Sequence, residues 1–171
     1  MLAAMRLPIA LMTLALVAAP AVALPAITSA YTKLDLDRCT RLDRGEEPQS
    51  ASWRCSGYKG TALFVQNGDD RYDVDAGLED RDALWADGFD YPGATVEWRL
   101  SRGKPFAIIY RLTSAATDRP RTSRLMIETV GGPRPGCRVA VVDGSLPNAN
   151  ALARAAADRI LAARAPCLTP E

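Results

Sequence analysis

Cys137 and Cys167 bracket a strand, a turn and a helix, and no other stretch of the chain constrains its fold as much. The strand reads Cys137-Arg138-Val139-Ala140-Val141-Val142-Asp143, with Val139 and Val141 on one side; a turn at residues 144–147 leads into an alanine-rich helix over residues 148–165. At 100° per residue Ala149, Leu152, Ala153, Ala156, Ile160 and Ala163 form one stripe, with Arg154 and Asp158 opposite. A stripe of alanines lets the helix backbone come close to a sheet and makes the helix easy to form. Asn148 can cap its start, and Pro166 disfavours helical geometry at Ala165, releasing Cys167 towards the strand. Leu161 falls on the polar side and needs cover from another segment.

The cysteines acquire meaning from the first 23 residues of the 171. Arg6, an apolar run over residues 7–19 and Ala21-Val22-Ala23 read as a Sec-type signal peptide, cleaved between Ala23 and Leu24. The run is too short for a membrane span, and no cysteine lies near the cleavage point to carry a lipid. The expected product is one mature domain, residues 24–171, periplasmic or secreted and not anchored to a membrane. Four cysteines in an oxidising compartment read as two disulfides, for which three pairings exist. Cys39 with Cys55 and Cys137 with Cys167 is preferred, because each pair closes a local loop between neighbouring elements. The competing zinc reading lacks any C-x-x-C spacing and any histidine.

Between the cysteine pairs the chain reads as antiparallel hairpins. Residues 31–37 alternate Leu34 and Leu36 with charged residues, and residues 52–58 return as a short strand after a polar loop at 41–50. The clearest hairpin joins residues 61–66 to 69–76 through Asn67-Gly68, which suits a type I′ turn. That register puts Leu63, Val65, Tyr72 and Val74 in the core and Phe64 outside, opposite Arg71, with Asp73 and Asp75 on the solvated face. An acidic connection over residues 77–92, with one helical turn at 82–86, carries Leu84, Trp85 and Phe89 as anchors. Residues 95–100 and 106–112 form the next hairpin, turning at Gly103, with Val96, Trp98, Leu100, Phe106, Ile108 and Tyr110 facing one way. A loop over residues 114–121 leads to a strand at 122–130. The fold class is therefore α+β: an antiparallel sheet built from hairpins with one C-terminal helix packed on it.

Histidine is absent, which removes Ser-His-Asp and Cys-His catalysis and the usual catalytic zinc sites. No P-loop, G-x-S-x-G or dinucleotide fingerprint occurs, and Lys33, Lys59 and Lys104 are the only lysines. No cofactor is implied. Asp69, Asp70, Asp73 and Asp75 invite a calcium reading, but strand alternation and the lack of a spaced glutamate oppose it. Glu97, Arg99 and Arg111 suggest a polar cluster on the outer face of the sheet, for which exposed cross-strand ion pairs are the simpler account. Glu97 with Glu128 is the one carboxylate pair that suggests glycoside chemistry. Trp53, Trp85 and Trp98 read as core residues before they read as a sugar platform.

Four groups of residues are distinctive in combination: Tyr31-x-x-Leu34-Asp35-x-x-x-Cys39, Trp53-Arg54-Cys55-x-Gly57-Tyr58, Glu97-Trp98-Arg99-Leu100 with Pro105-Phe106-Ala107, and Cys137-x-Val139-Ala140-x-Val142-Asp143 with Ala149-Asn150-Ala151-Leu152-Ala153-Arg154 and Ala157-Asp158. In these the chain resembles a family of small exported proteins of alphaproteobacteria whose members have no assigned activity. The resemblance implies a shared fold and an envelope address, and brings no catalytic residue with it. The functional expectation is a non-catalytic domain that binds or inhibits an envelope protein or polymer, with a carboxylate-based hydrolase of envelope polysaccharide as the alternative. A nucleic-acid partner is disfavoured by a near-neutral charge, 21 basic against 20 acidic residues. That charge is unevenly spread: residues 67–90 carry nine acids against two bases, and residues 99–138 nine bases against two acids. Neighbouring hairpins should bring the two runs together rather than leave them at opposite ends.

Overall fold

The computed structural model describes residues 26–42, 50–79, 89–114, 121–163 and 165–168. The strands are β1 (Ile27–Lys33), β2 (Thr40–Arg41), β3 (Ser50–Cys55), β4 (Leu63–Gly68), β5 (Arg71–Ala76), β6 (Asp90–Ser101), β7 (Lys104–Ser114), β8 (Ser123–Thr129) and β9 (Arg138–Asp143), followed by the helix α1 (Ala149–Ala163). Short 3-10 turns lie at Leu36–Arg38 and Tyr58–Gly60. The proposed signal segment, its Ala23/Leu24 junction, Trp85 and the turn expected at residues 82–86 lie outside the described residues.

One sheet runs from β2 to β9 in sequence order, with β1 added on β6. The hairpin reading holds from β2 to β5 and from β6 to β9, but the sheet is mixed, since β5 meets β6 in parallel at Arg71 and Asp90. The first strand also differs from expectation. It begins at Ile27, ends at Lys33 and pairs with residues 95–101 of β6 instead of the strand after the loop, which takes only Thr40 and Arg41. β6, twelve residues long, thus serves β5 and β1 successively along one edge.

Period-2 alternation then sorts β6–β8 onto two faces, both covered. Val96, Trp98, Leu100, Ile108, Tyr110, Leu112 and Met126 share a buried cluster with Leu63, Val65 and Val74, so the β3–β5 half folds over the β6–β8 half. Gly131 donates a backbone hydrogen bond to Ala76 O at 2.7 Å, tying the end of β5 to the turn after β8. The other face, with Ala107, Ile109, Leu125 and Ile127, packs under Ala149, Ala153, Ala156 and Ala157 of α1. Ala157 replaces Leu152 in the expected stripe, Leu152 being left exposed at its edge.

Register explains the other departures. The β4–β5 turn is Asp69-Asp70, both at positive φ (52° and 57°), so Val65 pairs with Val74 and Phe64 with Asp75, not with Arg71. Aspartate tolerates the left-handed region, and the shift preserves which face each apolar residue takes while pairing Leu63 with Ala76. A bulge between Arg99 and Leu100 turns Phe106 towards the helix, and a second between Ile127 and Glu128 sends Ala140 and Val142 to the helix and leaves Val141 exposed.

Trp98, fully buried, joins three separated motifs. Its Nε1 donates to Thr32 Oγ1 at 2.8 Å, and Tyr58 packs against it at 6.2 Å between ring centroids. Gly57 leaves the ring room: a Cβ there would sit 2.1 Å from Thr61 O and 2.7 Å from the indole. The disulfides are Cys39–Cys55 and Cys137–Cys167, and Leu168 N donates to Arg138 O at 2.7 Å, so the segment after α1 runs back against β9.

Non-reducing peptide mapping should recover these two pairs, and a peptide joining Cys39 to Cys137 would contradict the topology. Replacing Cys137 and Cys167 by serine should lower unfolding free energy in urea by about 2–5 kcal/mol. Gly57→Ala should cost about 1–3 kcal/mol through overpacking at Trp98.

Candidate functional site

The charged residues that alternation places on the core face form a buried network. Tyr110 of β7 lies in phase with Ile108, and Glu128 of β8 in phase with Met126; Arg138 opens β9 opposite Glu128. Arg138 Nη2 reaches Glu128 Oε1 at 2.9 Å and Tyr110 Oη at 3.1 Å, and its Nε reaches the same glutamate oxygen at 3.2 Å. It also pairs with Asp73 of β5, so one guanidinium ties the folded-over half of the sheet to β8 and β9. Asp73, Asp75, Glu128 and Arg138 are all buried, which corrects the expectation that Asp73 and Asp75 face solvent. The reason is that β5 packs against β7 and β8, which brings Asp73 to Tyr110 and Arg138.

Tyr110 Oη stands 2.8 Å from Asp73 Oδ1 and 2.9 Å from Glu128 Oε1, yet it has one proton to donate. The two carboxylates compete for that proton, and Arg138 donates to the same Glu128 oxygen while also donating to Tyr110 Oη. Burial, reinforced by the charge of Asp73, raises the Glu128 carboxyl well above its ordinary pKa despite Arg138. Burial likewise pushes the Tyr110 phenol well up, with Asp73 adding to it. Burial works against the charge of Arg138, but Tyr110, Asp73 and Glu128 outweigh it and raise its pKa. Oxygens of Asp73, Asp75 and Glu128 lie within 4.8 Å of one another, a spacing suited to a cation. The guanidinium of Arg138 already supplies the positive charge there.

Glu97 and Arg99, expected on an exposed outer face, are buried beneath the edge of α1. Arg99 binds Asp158 through two contacts, Nε to Oδ1 at 2.9 Å and Nη2 to Oδ2 at 2.7 Å. Arg154 donates to Glu97 Oε1 at 2.7 Å and to Tyr31 Oη at 3.0 Å. Ser29 joins the pairs, donating to Glu97 at 2.5 Å and accepting from Arg99 at 2.5 Å. Arg154 and Asp158 are therefore the flank by which the helix is clamped, not its solvent face. Arg111 stands apart from this group, donating to Ser123 Oγ at 2.7 Å and Gly144 O at 3.3 Å. Glu97 shares the helix face with Ile109 and Ile127, whereas Glu128 points into the other core. A sheet separates the two carboxylates proposed for glycoside chemistry.

Among the described residues the two charge runs touch at two ion pairs. Asp90 pairs with Arg124 and Asp73 with Arg138, one acid of each pair from residues 67–90 and one base from residues 99–138.

Among the described residues, an open concave surface lies elsewhere, where β1 and β6 part. Their pairing ends at Lys33 and Thr95, Leu34 N still reaches Ala94 O at 3.0 Å, and beyond that the first chain turns off through Leu36. The cleft so opened, about 550 Å³, is lined by Lys33, Leu34, Asp35 and Leu36 of the first chain segment and by Tyr91, Pro92, Ala94 and Thr95 of the second. A smaller hollow of about 200 Å³ shares Lys33 and Asp35 and adds Arg38, Ser56 and the Cys39–Cys55 disulfide. Tyr91 backs onto Tyr72 at 5.3 Å, and Tyr72 onto Trp53 at 6.4 Å, with Arg41 over the indole at 5.9 Å. Sequence reasoning missed this cleft because it arises from the long-range pairing of β1 with β6. It missed the buried network although Glu128 and Met126 share a phase.

Comparisons with protein-family models, curated proteins and solved structures find no match to this chain. Among the described residues no helix is long and apolar enough to cross a membrane.

A raised native pKa at Glu128 means that the folded state binds a proton the unfolded state has released. Its contribution to stability is complete below the unfolded carboxyl value of about 4.3 and is lost as pH rises through the native value, by at most about 1.4 kcal/mol per pH unit. Melting temperature should therefore fall from pH 5 to pH 8 more steeply for the native chain than for Glu128→Gln, which keeps a neutral hydrogen-bonding group. Equal slopes would remove the proton from Glu128.

Proposed function

We propose that this chain is an exported envelope protein, of the kind its motifs resemble, that binds or inhibits an envelope component without catalysis. The observation that carries this reading is the contrast between its carboxylates and its cleft. Glu97, Glu128 and Asp73 are buried and held by arginines, while the larger of the two described hollows is walled mainly by leucine, tyrosine and proline. Pockets of this size and lining suit recognition, with a few polar groups to orient the occupant. Two disulfides accord with an oxidising compartment. The hydrolase reading loses its pair, because an acid and a second carboxylate must flank one bond within about 5 to 9.5 Å of each other on the same side.

Purified residues 24–171 should release no reducing ends from isolated envelope polysaccharide. A photoreactive residue at Tyr91, introduced in cells, should give a discrete adduct that the same residue at the exposed helix position Ala155 does not. Release of reducing ends that Glu128→Gln or Glu97→Gln abolishes would overturn the reading, as would identical labelling from both positions.

A further inference from the structure

The cleft between β1 and β6 is largely apolar and shares Lys33 and Asp35 with a smaller charged hollow, and an occupant should match both. The cleft offers the side chains of Leu34, Leu36, Pro92 and Ala94 and the ring of Tyr91, with the hydroxyls of Tyr91 and Thr95 and the charges of Lys33 and Asp35 as its polar side-chain groups. Lys33 and Asp35 also line the adjoining smaller hollow, which adds Arg38, so the two hollows together carry two cations and one carboxylate. All three are exposed, and neither Lys33 nor Arg38 is held in an ion pair among the described residues. Building on the binding reading above, we propose that the cleft takes a single-tailed anionic amphiphile, its acyl chain between Leu36 and Tyr91 and its carboxylate or phosphate head at Lys33 and Arg38.

Two other occupants fit less well. An extended peptide adding a strand needs a free edge, but β6 is paired with β5 at Asp90 and with β1 from Thr95 onward. The interval between them includes Pro92, which has no N–H to offer, and is shorter than the five or six residues of an ordinary strand. A sugar chain needs hydrogen-bond partners for its hydroxyls, and the leucine, proline and alanine side chains of the cleft supply none. An alkyl chain gains there from burial alone, about 25 cal/mol per Å² removed from water. The head is selected at the smaller hollow, where a guanidinium can bind a carboxylate or phosphate through two parallel hydrogen bonds.

The test uses residues 24–171 and dodecyl phosphate below its micelle concentration, followed by titration calorimetry and by tryptophan fluorescence. Saturable one-to-one binding is expected. Dodecanoate should bind comparably, and inorganic phosphate and dodecyl maltoside at least 10-fold more weakly. Lys33→Glu with Arg38→Glu should weaken dodecyl phosphate binding 10-fold or more and leave the maltoside unchanged, while Tyr91→Ala should weaken both; circular dichroism and melting temperature check that each variant is folded. Vesicles containing an anionic phospholipid, against neutral vesicles, distinguish a headgroup in a membrane from a free amphiphile. Absence of saturable binding, equal binding of the maltoside, or indifference to both sets of substitutions overturns the proposal. So does a dimer in sedimentation that Tyr91→Ala splits, which would give the cleft to a second copy. A Tyr91 adduct in cells without any amphiphile binding would leave the binding role standing and remove only this ligand class.

Discussion

The guanidinium of Arg138 is the contact on which the arrangement of the sheet depends. β5 brings Asp73 to it from the folded-over half, β8 brings Glu128, and Tyr110 of β7 stands between the two acids. Such a group is costly to bury, and removing one partner of a buried ion pair typically costs about 3–5 kcal/mol because the other is left uncompensated. The network therefore works as a specification. A sheet folded in another register would bury the same charges without partners, at a cost of several kcal/mol.

That specification matters because β6–β8 are buried on both sides. On one side tryptophan, tyrosine, leucine and isoleucine meet the β3–β5 half; on the other, alanines of α1 meet Ala107, Ile109, Leu125 and Ile127. Large side chains hold the sheet halves apart at a distance suited to a thick core. Small ones draw the helix in close, and the Cys137–Cys167 bond holds its far end against β9. The cleft is a consequence of the same plan, since one strand edge has to accept both β5 and β1 and the two do not meet.

Much of this plan is legible in the residues. Alternation in 95–100 and 106–112 identifies the β6–β7 hairpin, the alanine stripe identifies the lid, and the cysteine spacing gives both disulfides. What alternation alone misses are positions where one extra residue changes phase, as at Phe106 and Val139, since a bulge depends on both strands together. Asn67-Gly68 is a sound turn signal, yet Asp69-Asp70 takes the turn because only that register pairs Leu63 with Ala76. The pairing of β1 with β6 could not be read from local pattern at all. Charge offered a partial guide: the acidic and basic runs implied adjacency, and the Asp73–Arg138 and Asp90–Arg124 pairs are its form.

The two ion pairs beside the helix bear on a problem that its alanines create. A surface of methyl groups has shallow ridges, so a helix resting on it resists sliding along its own axis only weakly. Arg154 faces Glu97 and Asp158 faces Arg99, with the signs alternating along both elements. A slip of one turn in one direction would bring Asp158 to Glu97, and in the other Arg154 to Arg99, and either juxtaposition is repulsive. The crossed charges act as a detent, allowing one axial position on a surface that would otherwise accept several.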